Sequence, residues 1–384
     1  DKLAARMFSF LHACDPAYLH KAIALSLFLR VLLATQGHSG MGIAPMFGDY
    51  EAQRHWLEIT LNLPASDWYH HTSLNDLQYW GLDYPPLTAY VSLFFAYVAR
   101  NVFGLEGLVS LTDSRGYEGW DGKVFMRCTV LVCDIVILLP VLLLIVDRVW
   151  DVHHTMRPPN PNPINNISKR LPKSNINSDK ANTTTNTNTG DSGNSDSSDS
   201  SYRDFYECGM LLFYSACTLS PCLVLIDHGH FQYNNVCIGL ALWGALCILD
   251  DRDILGSIFF CLSLNFKQMA LYYAPVFFFV LLKKCLNQRS TIGFFVKIIP
   301  IGLAVICTFA VMWAPFCLQA GPGLDGLDLL DVTNTSTSTR RPDETCLSAM
   351  QQVAHRLFPF ARGLFEDKVS NIWYALRIDS LVYV

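Results

Sequence analysis

Apolar residues gather into seven runs along the chain, at about 22–36, 86–99, 124–147, 208–226, 235–249, 254–282 and 292–317. A helix needs roughly 17–25 residues to cross a bilayer, so most of these runs have the length of a span. The run 254–282 is interrupted by "NFKQM", which predicts two shorter segments meeting at Lys267. The run 86–99 opens with "GLDYPPLTAY", where Pro85 and Pro86 set an extended entry and a helix start. About 14 apolar residues follow before Arg100, which predicts an interfacial helix lying along the membrane. Between 151 and 204 the pattern vanishes into Asn, Ser, Thr, Asp and Pro. Such a stretch cannot bury a core and is predicted to be disordered.

Positive charge near helix ends assigns sides. His20 and Lys21 precede the first run; Arg148, Lys169, Arg170 and Lys173 follow the third; Lys283 and Lys284 follow the interrupted one. All of these fall on the cytoplasmic side if 86–99 does not cross. The chain then crosses outward at 22–36, returns at 124–147, goes out at 208–226 and back at 235–249. It turns around Lys267 and leaves once more at 292–317. The loops 37–123, 227–234 and 318–371, with the Lys267 turn, share the non-cytoplasmic face.

Five stretches follow from this layout. Residues 1–150 carry the first span, a long luminal loop and the second span, and 151–204 form a low-complexity cytoplasmic loop. Residues 205–317 hold further spans with luminal turns, 318–371 a luminal loop, and 372–384 the start of another span. Of the sequons at Asn166, Asn182 and Asn334, this parity puts only Asn334 in the lumen. The chain starts at Asp1 and stops after "NIWYALRIDSLVYV", which reads as a fragment lacking later helices. The first run lacks a small-residue cleavage pattern and reads as an uncleaved anchor.

Composition agrees with the pattern. Hydrophobic residues make up 51% of the 384 positions and charged residues 16%, with a mean hydropathy of +0.25. This is an all-α polytopic membrane protein by expectation. A net charge of −5 with no extended basic face argues against nucleic acid. Most of the thirteen cysteines sit inside apolar runs as small hydrophobes. Cys317 and Cys346 bracket a polar segment and are expected to pair if it faces an oxidising lumen.

The chemistry gathers on the non-cytoplasmic face. In "MFGDYEAQRHWLEI" a helix starting near Tyr50, with Asp49 as N-cap, puts Glu51, Arg54, His55 and Glu58 on one stripe. Ala52, Trp56, Ile59 and Leu63 form another. Pairing of Glu51 with Arg54 and His55 along a capped amphipathic helix is the plain alternative. A second acidic cluster, "YWGLDYPPL", carries Asp83 and Tyr84; "LIDHGHFQYNN" carries Asp227, His228, His230, Gln232, Tyr233 and Asn234. Lys267, followed by Gln268, is costly at membrane depth and reads as functional with an anionic partner, against a structural pair with a buried Asp. "HRLFPFARGLFEDKVSNIW" adds His355, Arg356, Arg362, Glu366, Asp367 and Lys368, which a solvated loop helix would also explain. Asp-x-Glu resembles metal-holding acidic pairs of nucleotide-sugar enzymes. Zinc spacing, a phosphate-binding Gly loop and a Gly-x-Ser-x-Gly elbow are absent from the sequence, which weakens hydrolase and ATPase readings.

The strings "FGDYEAQRHWLEITLNLPASDWY", "NDLQYWGLDYPPLTAY", "DHGHFQYN", "NFKQMALYYAP" and "RLFPFARGLFEDKVSNIW" closely resemble the endoplasmic-reticulum glucosyltransferases that use dolichyl-phosphate glucose. The resemblance covers nearly all of 37–371 except 151–204 and about 318–345. The "GDYEAQRHW" loop is similar to that of the members adding the first glucose, α-1,3-linked, to a dolichol-pyrophosphate-linked high-mannose oligosaccharide. The sister enzyme adding the second glucose is the alternative.

The resemblance implies a GT-C type helical bundle in the endoplasmic-reticulum membrane, with a luminal active site in the first loop. It implies no metal, no cofactor and no nucleotide sugar. It makes Asp49 the base and Asp83 the second acidic residue, an order that residue types alone leave open. Conversion of a β-linked donor to an α-linked product implies inversion, with Lys267, His355, Arg362 and Lys368 as cations for the leaving phosphate. A polytopic transporter using Lys267 and the luminal acids is the rival from another class, and a structural membrane subunit a third.

Overall fold

Gly48 decides where the first loop becomes helical. Its φ of +71° follows Phe47 at φ 54°, a left-handed pair that breaks the preceding loop and starts a helix. The helix runs Gly48–Asn62, so it begins two residues earlier than the sequence suggests, and Asp49 stands in its first turn while Phe47 is the cap. A Cβ on Gly48 would lie 2.5 Å from the Ser39 carbonyl oxygen. Gly48→Ala is therefore expected to cost at least about 1–2 kcal/mol from the left-handed backbone alone. Thermal unfolding of the purified protein in detergent measures it, and an unchanged midpoint would mean the turn relaxes freely.

The computed structural model describes residues 16–155, 209, 211–319 and 345–358. Residues 156–204, the three sequons and 372–384 lie outside them. Among the described residues every regular element is helical, as expected. The helices are α1 Pro16–Ala34, α2 Gly48–Asn62, α3 Pro86–Asn101, α4 Trp120–Cys133 and α5 Leu139–Thr155, with a π-turn Asp134–Leu138 between the last two. After α6, Leu211–Thr218, come a short turn Pro221–Val224 and a second π-turn, Leu225–Phe231. The rest are α7 Asn234–Leu249, α8 Asp253–Phe266, α9 Ala274–Leu286, α10 Thr291–Gln319 and α11 Cys346–Leu357.

Three described helices are long and apolar enough to cross a membrane: Trp120–Arg148, Gln268–Leu286 and Thr291–Leu318. A fourth joins them if Leu211–Thr218 and Pro221–Phe231 count as one span. Along α9 and α10, Phe278, Phe279, Ile292, Val296 and Ile306 are exposed. Apolar surface of that kind belongs against lipid. The break at Lys267 is a reversal of the chain. Lys284, near the end of α9, returns to the start of α8 and donates to Asp253 and Asp251, each at 2.8 Å, and Phe277 stacks on Phe260 at 3.9 Å.

Contacts divide the chain into two compact units, Asp1–Phe28 with Leu142–Ser220, and Leu29–Val141 with Pro221–Val384. The polar clusters all fall in the second. There α3 presents Ala89, Ala96 and Ala99, each fully buried, on one face. Small side chains at that spacing let α2 approach closely. Tyr90 on α3 donates to the Met312 carbonyl of α10 at 2.7 Å, and Thr88 bonds the Phe266 carbonyl of α8. Trp56, Ile59 and Leu63 of the predicted apolar stripe are buried with Trp68, Tyr69 and Phe316 in one cluster. Cys317 and Cys346 are disulfide-bonded and tie the end of α10 to the start of α11.

Candidate active site

Asp49 meets the "DHGHFQYN" segment across 181 positions of sequence. Its Oδ2 accepts a hydrogen bond from His230 Nε2 at 2.9 Å and from Gln232 Nε2 at 2.6 Å. An ionised carboxylate only accepts, so the imidazole donates. Oδ1 takes no hydrogen bond from a described residue. The pair is open to its surroundings, with side-chain exposures of 35% for Asp49 and 50% for His230. The backbone closes the join, because Ser39 N donates to the His230 carbonyl at 3.1 Å.

Lys267 lies within electrostatic reach of this carboxylate, in the turn between α8 and α9. Its Nζ donates to Asn234 Oδ1 at 2.6 Å and lies 4.7 Å from the centre of the Tyr84 ring. Burial pushes its ammonium below the ordinary lysine range, and the charges of Asp227, Asp83 and Asp49 oppose that shift without cancelling it. Asp227 is fully buried and accepts from Asn234 Nδ2 at 3.0 Å and Asn235 N at 2.6 Å, so it caps the start of α7. Burial, then the charges of Asp83, Asp49 and Asp227, push the Tyr84 phenol above its ordinary range and keep it a neutral donor. Gln268 Nε2 donates to the Asp83 and Leu357 carbonyls, each at 3.4 Å. Arg356 on α11 grips the same turn through the Leu82 and Gly81 carbonyls at 3.3 and 3.0 Å.

Thus Asp49, Asp83, Tyr84, His230, Gln232, Asn234, Lys267 and Gln268 converge, with Asp227 beneath them. Other sequence candidates sit elsewhere. Tyr233 is in the core, its hydroxyl 2.6 Å from Thr129 Oγ1. His355 is exposed on α11. Arg362, Glu366, Asp367 and Lys368 lie outside the described residues.

Glu51, Arg54 and His55 are interior. Arg54 binds Glu51 through Nε and Nη2 at 2.7 and 2.6 Å, and Nη2 also reaches Glu58 at 2.7 Å. His55 Nδ1 is 3.1 Å from Glu58, and Tyr79 donates to Glu51 at 2.8 Å. The pairing alternative holds for Glu51 with Arg54, but His55 pairs with Glu58, and the helix face is buried where an amphipathic helix would be solvated. With both Glu51 oxygens engaged by Arg54, the Asp-x-Glu string does not present two free carboxylates. Burial works against the charged form of Glu58, yet the bonds from His55 and Arg54 outweigh it and hold the carboxyl down at about 2. The folded value lies below the ordinary 4.5, so the contribution is full above that pH and is lost as pH falls toward 2. Stability is expected to fall across this window, more steeply in the native protein than in Glu58→Gln, by thermal unfolding against pH.

Sequence reasoning passed over Arg30, Asp134 and Arg127. Arg30 and Asp134 form a fully buried ion pair at 2.7 Å, and His228 joins it at 2.9 Å. The signal was available: "SLFLRVLL" and "VLVCDIVI" each carry one charge inside an apolar run, the same anomaly that singled out Lys267.

An all-helical protein with several membrane spans and a carboxylate-centred polar site at the ends of its helices is the class that fold and geometry define. The chain belongs to the ALG6, ALG8 glycosyltransferase family, which it matches over residues 26–160 and 197–382. It is 38% identical over 356 residues to a dolichyl pyrophosphate Man9GlcNAc2 alpha-1,3-glucosyltransferase of Gallus gallus and 39% identical to that of Rattus norvegicus. Each alignment covers 93% of this chain and 54% of the relative. A probable enzyme of the same name from Dictyostelium discoideum is 40% identical over 362 residues, again 93% of this chain and 54% of the relative. The chain spans about half the length of the curated relatives it matches.

Proposed function

We propose that the protein is an inverting glucosyltransferase of the endoplasmic-reticulum membrane. It moves glucose from dolichyl-phosphate glucose to a terminal mannose of the dolichol-pyrophosphate-linked high-mannose oligosaccharide, forming an α-1,3 linkage. The observation that carries the reading is Asp49, whose Oδ2 is held by His230 and Gln232 while Oδ1 stays open. The names of the relatives support the acceptor and linkage.

Asp49 Oδ1 takes the proton of the mannose hydroxyl as its oxygen attacks C1 of the β-linked glucose. The bond from C1 to the phosphate oxygen breaks on the opposite face, and dolichyl phosphate leaves carrying the electron pair. Lys267 supplies positive charge near the departing phosphate, and Asp83 and Tyr84 bind sugar hydroxyls. The proposed reaction uses no metal ion and no nucleotide sugar. The site faces the lumen, which agrees with the disulfide at the end of α10, because disulfides persist in oxidising compartments. In this topology α3 lies at the membrane interface.

The test is transfer of labelled glucose from dolichyl-phosphate glucose by the purified full-length protein, with EDTA present. Transfer to the unglucosylated acceptor supports the reading. Transfer to an acceptor that already carries one glucose would favour the sister reaction, and loss of activity with EDTA would bring a metal back. No transfer at all would favour the transporter.

A further inference from the structure

The two groups that hold Asp49 come from one turn, Leu225–Phe231 and the residue after it, and that turn is pinned from the interior of the helices. His228 Nε2 donates to Asp134 Oδ2 at 2.9 Å, and Arg30 Nε donates to the same oxygen at 2.7 Å. Asn235 Nδ2 reaches Asp134 Oδ1 at 3.0 Å. Arg127 grips the backbone on the other side, with Nη1 on the His228 carbonyl and Nη2 on the Gly229 carbonyl at 3.1 Å. Arg30, Asp134 and His228 are each no more than 1% exposed.

We infer that Asp134, with Arg30 and Arg127, is a positioning network for Asp49: it locks residues 228–229 so that His230 and Gln232, the side chains on either side of Phe231, converge on Oδ2. This rests on the reading of Asp49 as the base. Two features favour positioning over a purely structural pair. A buried ion pair is weak evidence for stability, because apolar side chains of the same volume often do as well, and charge is more costly still inside a span. Both anchored residues also sit in π-turns, Asp134 at the start of one and His228 within the other. A π-turn inserts a residue and re-aims the side chains beyond it, so its register must be held from outside the turn.

A kinetic double-mutant cycle on the purified full-length protein tests this. Asp134→Asn is expected to lower kcat about 10–100-fold, with KM for donor and acceptor within about twofold. In a background carrying His230→Ala and Gln232→Ala, the same substitution is expected to change kcat by less than about threefold, since nothing remains to be aimed. Equal proportional losses in the two backgrounds overturn the inference, because a smaller folded fraction would give the same factor in both. An unchanged kcat for Asp134→Asn overturns it too. If Asp134→Asn is not recovered as a monodisperse protein, Arg127→Gln takes its place in the cycle with the same two outcomes. A wild type that transfers no glucose removes the reading of Asp49 itself, whereas an active wild type with a multiplicative cycle removes only the network.

Discussion

Asp49→Asn is expected to lower kcat for glucosyl transfer by about 10²–10⁴-fold while leaving the protein folded. The amide oxygen of asparagine can still accept from His230 Nε2 and Gln232 Nε2, so the constellation around Oδ2 survives. What is lost lies on the other side of the group. The open oxygen becomes an amide nitrogen, which donates and cannot take a proton from an attacking hydroxyl. Steady-state kinetics with both substrates should therefore show kcat falling and KM nearly unchanged. Activity within about threefold of wild type would move the base to Asp83, which shares the field around Tyr84 and Lys267.

Arg54→Met is expected to destabilise the protein by about 3–5 kcal/mol, because removing one member of a buried pair leaves uncompensated charge. Arg54 is fully buried between Glu51 and Glu58, and its Nη1 also donates to the Leu108 carbonyl at 3.0 Å and Ser114 Oγ at 2.5 Å. Methionine fills much of the volume and satisfies none of these partners. Both glutamates would lose their guanidinium partner, and the 106–114 segment would lose the two hydrogen bonds from Arg54 while keeping those of Thr112 and Ser114 to Glu58. The result to look for is a large drop in unfolding midpoint with turnover per folded molecule little changed. A stable variant with a raised KM would instead give Glu51, Arg54 and His55 the substrate-binding role that their place beside Asp49 in the sequence suggests.

That contrast shows what the sequence could convey. The helical runs, the reversal at Lys267 and the grouping of "GDYE", "LDYPP", "DHGHFQYN" and Lys267 were legible because hydropathy and charge placement are written locally. The start of α2 was misplaced because a left-handed Phe47–Gly48 step leaves only a faint mark in residue type. A stripe of Glu, Arg, His and Glu at helical spacing looks solvated until the partners that bury it, Tyr79 and Ser114, are brought in from other segments. Tyr233 resembled its neighbours in a polar string, yet the turn sends His230 and Gln232 toward Asp49 and Tyr233 toward Phe95 and Thr129. Arg30 and Asp134 showed an anomaly but not their pairing across 104 positions.

Asp49 and the two side chains that hold it are contributed by stretches of chain on either side of the polar segment 151–204. A one-residue slip at the Ser39 to His230 backbone bond would break the alignment outright. The base is therefore complete only when two stretches far apart in the chain have docked in one register.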